Sequence, residues 1–77
     1  MNEDRRKELK NIVDALVKLF YELDGLQSDE SEAYDNLPES LQQTWKAEAM
    51  VEAAENLSNA CEELEQVLSY LEDAKNC

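Results

Sequence analysis

The chain has no histidine, one glycine, one proline and two cysteines among its 77 residues. Each scarcity excludes something. Without histidine, the commonest general base and the commonest transition-metal ligand are missing. Cys61 and Cys77 cannot build a disulfide framework. So short a chain must then draw its stability from its own core or from a partner subunit. Cys61 falls on an apolar helical stripe and Cys77 is the final residue, so they read as one buried and one exposed reduced thiol. No apolar run is long enough to span a bilayer, and the opening MNEDRRKELK has no signal-peptide h-region. A cytoplasmic protein without membrane association is therefore expected.

Basic residues are also scarce, and unevenly so. Residues 1–18 hold Arg5, Arg6, Lys7, Lys10 and Lys18 against four acids. The rest of the chain has only Lys46 and Lys75, so it carries −13 of the net −12 while the first segment carries +1. Such a chain should repel nucleic acid and anionic membranes, and an electrostatic partner would be basic. The plainer alternative is that the charge only keeps a small helical protein soluble.

With glycine and proline rare, and alanine, leucine and charged residues abundant, the composition is helical. Leu9, Ile12, Leu16, Leu19, Leu23, Leu26, Glu30, Ala33 and Leu37 recur in steps of three and four. So do Met50, Ala53, Leu57, Ala60, Leu64, Val67, Leu71 and Ala74. These are heptad seams. Pro38 pushes the residue before it out of helical geometry, and Ser40-Leu41-Gln42-Gln43 has capping-box spacing. The sequence thus predicts one all-α domain over residues 1–77: a helix over about 3–36 running through Gly25, a turn over about 37–41, and a helix over about 42–75. A short connection makes the helices antiparallel neighbours, a two-helix coiled-coil hairpin. Leu9 should lie near Leu71, Leu16 near Leu64 and Leu23 near Leu57, with Arg5, Arg6 and Lys7 beside Glu72 and Asp73. Lys18 should pair with Asp14 and Glu22.

The apolar surface is wider than one partner helix needs. Val13, Phe20 and Tyr34 flank the first seam, and Ala54, Cys61 and Leu68 flank the second. This width predicts a homodimer that closes a four-helix bundle. Val13, Val17, Phe20, Tyr21, Cys61 and Leu68 are the expected interface. Val51 and Tyr70 belong either there or on a surface for another partner.

No catalytic, cofactor or metal site is expected. Five acids crowd residues 28–40, but an EF-hand loop starting at Asp29 would need glycine where Tyr34 stands. No Glu-x-x-His pair exists, so a di-iron bundle is excluded. Glu30, the one charge on the first seam, should pair with Lys46 across the hairpin. Trp45, Tyr34, Leu37 and Leu41 read as a plug closing the end of the bundle, or else as a protein-binding hot spot. The remaining candidates are acidic surfaces: a row of Glu48, Glu52, Glu55, Glu62 and Glu65 on the second helix, and a tip of Asp29, Glu32, Asp35 and Glu39.

EAYDNLPESLQ (32–42), with EAMVEAAENL (48–57), resembles short acidic uncharacterised helical proteins encoded by phages, prophages and mobile elements of gram-positive bacteria. The resemblance brings no catalytic residues. It implies a genetic setting in which small acidic proteins inhibit host defence enzymes. The expected function is a non-enzymatic inhibitor of anti-CRISPR or anti-restriction type. Its acids would mimic DNA on a basic host nuclease in the host cytoplasm, without touching nucleic acid. The alternative is a homo-oligomeric structural or adaptor coiled coil that acts through its apolar faces.

Overall fold

A computed structural model describes residues 1–77. It contains two long helices, α1 (Glu3–Asp35) and α2 (Trp45–Lys75), joined by a connection with a 3-10 turn at Glu39–Leu41. They pack as an antiparallel hairpin, a rod of 59 × 15 × 12 Å with no strand.

Local chemistry sets the helix ends. Asn2 caps α1, its side chain accepting from the Arg5 amide at 2.8 Å, and Glu3 and Asp4 favour the positive end of the dipole. Gly25 lies inside α1 without breaking it. The helix stops ahead of Pro38, where the Asn36 amide closes on the Glu32 carbonyl at 3.0 Å. The Leu41 amide then donates to the Pro38 carbonyl at 2.8 Å, and Gln42 Nε2 to the Leu37 carbonyl at 3.2 Å. These bonds draw the connection back over the end of α1, so Ser40 is spent in the tight turn. The second helix therefore begins later than residue 42. Thr44 is its cap, accepting from the Ala47 amide at 3.3 Å.

The seam is rotated from the expected one. Inward positions on α1 are Leu9, Val13, Leu16, Phe20, Leu23, Gln27, Glu30 and Tyr34, with Leu37 continuing the line just beyond its end. On α2 they are Ala47, Met50, Ala54, Leu57, Cys61, Leu64, Leu68 and Leu71. Both still follow the 3–4 alternation. Half of each expected seam is kept, and the other half is replaced by its neighbour one residue on. Ile12, Leu19, Leu26 and Val67 are left 52, 53, 59 and 44% exposed. Buried area favours this choice, because Phe20 and Tyr34 bring far more apolar surface inward than Leu19 and Ala33. Cys61 and Leu68 likewise outweigh Ala60 and Val67. The cost is Gln27 in place of Leu26, offset in part by its 3.3 Å bond from Nε2 to Ser31 Oγ.

The register also differs. Gln27, Ser31 and Tyr34 line one hollow with Val51, Ala54 and Ser58. Asp24 lies within electrostatic reach of Cys61. The helices are thus offset by about one turn from the expected pairing of Leu23 with Leu57, which places Leu23 across from Cys61. The offset explains two pairings that do not form. Glu30 comes opposite Ala54, out of reach of Lys46, whose ammonium instead stands 5.8 Å from the Trp45 ring centroid. Arg6 does not meet Glu72 or Asp73. Its Nε donates to the Lys75 carbonyl at 3.1 Å and its Nη2 to the Cys77 carbonyl at 2.9 Å, satisfying carbonyls that the end of α2 leaves open. Glu72 pairs with Lys75 at 3.2 Å, and Asp14 pairs with Lys10 at 2.9 Å rather than with Lys18.

Candidate functional site

The α2 acids lie where 3.6 residues per turn must place them once Ala54, Cys61 and Leu68 face inward. Glu48, Glu55 and Glu62 repeat every seven residues on one line, with Glu52 and Glu65 beside it, and all five are exposed. They occupy one flank of the hairpin. Near the turn, Glu48, Glu52 and Glu55 rim a hollow with Tyr34, Gln42 and Val51. Asp35 reaches the same flank, sharing the adjoining hollow with Glu55, Tyr34 and Val51. The row on α2 and part of the acidic tip therefore form one surface.

Further along, the buried Cys61 thiol reports the same field. Its pKa is pushed above the ordinary 9.0 first by burial, then by the carboxylates of Asp24 and Glu65. Asp24 thus belongs to this acidic flank. The sequence reading missed it, although its phase relative to Phe20 and Leu23 was a usable signal once the seam was known.

No base neutralises this flank. The three ion pairs are Arg6–Glu3, Lys10–Asp14 and Lys75–Glu72, all at the end of the rod that holds the termini. Lys10, held to Asp14 by a hydrogen bond and by charge, has a raised pKa and stays protonated. The tip residues Asp29, Glu32, Asp35 and Glu39 are exposed and unpaired. No three acidic or cysteine side chains converge as metal ligands, and no helix is long and apolar enough to cross a membrane.

The residues expected at a dimer interface scatter. Val13 and Cys61 are buried inside the hairpin, and Phe20, Leu68 and Val17 are half-buried within or beside the seam. Only Tyr21 is well exposed. The rotated seam is the reason: the flank reserved for a second copy became the core. The expected aromatic plug is not formed either. Ala47 is fully buried below the turn, while Trp45 is 74% exposed beside a hollow of about 420 Å³ lined by Leu37, Leu41, Thr44, Lys46 and Met50. Trp45 caps nothing because α2 begins at it, one residue past Thr44, with its ring turned outward.

No family model matches this chain, and no curated protein or solved structure is matched by it.

Proposed function

We propose that the protein is a non-enzymatic inhibitor: an acidic helical module that occupies the positively charged nucleic-acid groove of a host defence effector, such as a CRISPR nuclease or a restriction enzyme. The observation that carries this reading is the unneutralised acidic flank. Glu48 to Glu65 spans about 26 Å of helix. With Asp24 and Asp35 beside the row, about one carboxylate falls every 4 Å, near the one phosphate per ~3.4 Å of a DNA strand. The resemblance to small acidic phage and mobile-element proteins suggests the class of target.

Such a complex forms by matching opposite charges and weakens steeply as salt rises. The test is binding to purified effectors of this class, with nucleic acid as competitor. Reversing Glu52, Glu55 and Glu62 to lysine is expected to weaken binding by 100-fold or more, about 3 kcal/mol. Binding indifferent to salt, or unmoved by the triple reversal, overturns the proposal. The exposed column Ile12–Leu19–Leu26 favours a second reading, a structural or adaptor protein acting through apolar contact. In that case Leu19→Asp abolishes function and the acid reversals leave it intact.

A further inference from the structure

Ile12, Leu19 and Leu26 stand seven residues apart on α1, one place before the inward column of Val13, Phe20 and Gln27. On α2, Ala53, Ala60 and Val67 hold the same place relative to Ala54, Cys61 and Leu68. An antiparallel hairpin brings like flanks of its two helices to the same side. The opposite side is the one already described, with Asp24, Ser31, Val51, Ser58 and Glu65. The apolar positions therefore merge into a single stripe along the other long face of the rod, with three leucine-sized side chains more than half exposed.

We propose that this stripe is the interface of a homodimer in which a second copy packs head to tail, with the two-fold axis passing beside Leu19.

Four observations select a second copy. First, the hairpin alone is under-packed. Only Leu9, Val13, Ala47 and Cys61 are buried, and no large side chain is fully buried. A chain of this size with so thin a core usually gains the remainder by association. Second, the area suits a dimer. A face 59 Å long and 15 Å wide offers on the order of 900 Å², against the roughly 800 Å² per partner of a standard interface.

Third, the spacing is self-complementary. Ile12 and Leu26 lie equally far on either side of Leu19, so a two-fold axis there sets Ile12 against Leu26 of the copy and Leu19 against Leu19. A two-fold contact demands such matching of a surface with itself. Fourth, charge selects the head-to-tail sense. Arg5, Arg6, Lys7, Lys10 and Lys75 stand at one end of the rod, and Asp29, Glu30, Glu32, Asp35 and Glu39 at the other. Head to tail, the acidic tips are far apart and Arg5 comes opposite Ala33 of the copy, among the acids of its tip. Side by side in the same sense, the tips would stack and repel. The dimer leaves the acidic flank open, so it does not depend on the inhibitory role proposed above.

Sedimentation equilibrium on the full chain tests this. The expected particle has twice the 8.8 kDa chain mass. Leu19→Asp, which buries two unpaired carboxylates per dimer, is expected to raise the dimer dissociation constant at least about 100-fold. Tyr21→Asp, off the stripe, should leave it unchanged. Should Leu19→Asp lose its helical circular dichroism, oxidative cross-linking in a Cys77→Ser background decides instead. Leu19→Cys chains then join to one another, and Ile12→Cys chains join only to Leu26→Cys chains. A single-chain mass at every concentration, or Ile12→Cys chains that join to themselves, overturns the proposal.

Discussion

Two columns of apolar side chains run down α1 one residue apart, and their surroundings differ sharply. Val13 is buried and Phe20 and Tyr34 are half-buried against α2, while Ile12, Leu19 and Leu26 stay more than half exposed. By hydropathy the outer one, with two leucines and an isoleucine, is the greasier, since the inner one also carries Gln27 and Tyr34. What separates them is shape and area. The inner column carries two aromatic rings, and the facing seam of α2 includes the small residues Ala47, Ala54 and Cys61. Large against small lets two helices approach closely and fill the space between them. Periodicity marks out an arc of the helix that wants cover. Packing decides which line within that arc is the core, and which is left exposed.

The sharpest test of this contrast is to truncate one residue from each column. Phe20→Ala is expected to cost about 2–3 kcal/mol in chemical denaturation at every protein concentration, below the ~3–5 kcal/mol of a fully buried phenylalanine because the ring is only half-buried. Leu19→Ala should cost under about 1 kcal/mol in the dilute chain and act mainly on association. Equal costs for the two in dilute solution would mean that the seam has been misplaced.

A smaller effect separates the two candidate caps near the turn. Thr44→Ala is expected to lower the stability of α2 by about 1 kcal/mol, read from the thermal midpoint, while Ser40→Ala shifts it by a few tenths at most. The reverse order would restore the earlier helix start. Gly25 offers a control free of packing, since nothing lies within 4 Å of a Cβ added there. Gly25→Ala should stabilise the protein by about 0.5–1 kcal/mol through helix propensity alone. A loss would show that α1 bends at that point.

The smallest effect is a pH dependence. The Cys61 thiol has its pKa raised in the folded chain, so it ionises first in the unfolded one. Its contribution is absent well below pH 9.0, and stability falls as pH rises past that value. The Cys61→Ala variant should lose this alkaline slope, as denaturation midpoints across the range would show. In the same range, alkylation should reach the exposed Cys77 before the buried Cys61.

The extent of α1 and the end of α2 were legible because their signals are local. Asn2 ahead of two acids, unbroken 3–4 alternation and Pro38 each act over a few residues. Gly25 was readable for the same reason, since one glycine costs too little to stop a helix with the seam running through it. The exposure of Glu48, Glu52, Glu55, Glu62 and Glu65 was legible too, because it holds for either choice of seam. Four features were not legible: the start at Trp45, the offset of about one turn, the inward Val13 and Cys61, and Asp24 on the acidic flank. The start at Trp45 depends on how the turn closes over itself, and the other three on atoms far apart in sequence. Gln42 reaches back to the Leu37 carbonyl, Arg6 reaches the carbonyls at the end of α2, and Phe20 and Tyr34 need room on the facing helix.

The sequence alone determined that this chain is two long helices folded back on each other, broadly apolar on the facing side and densely acidic outside. Helix propensity, capping and periodicity are summed over neighbours along the chain. Only the tertiary structure decided which half of the apolar arc is core and which is free surface, and therefore which acids share a flank. Two adjacent lines within one apolar arc differ in the volume they fill, and volume is matched only against the other helix.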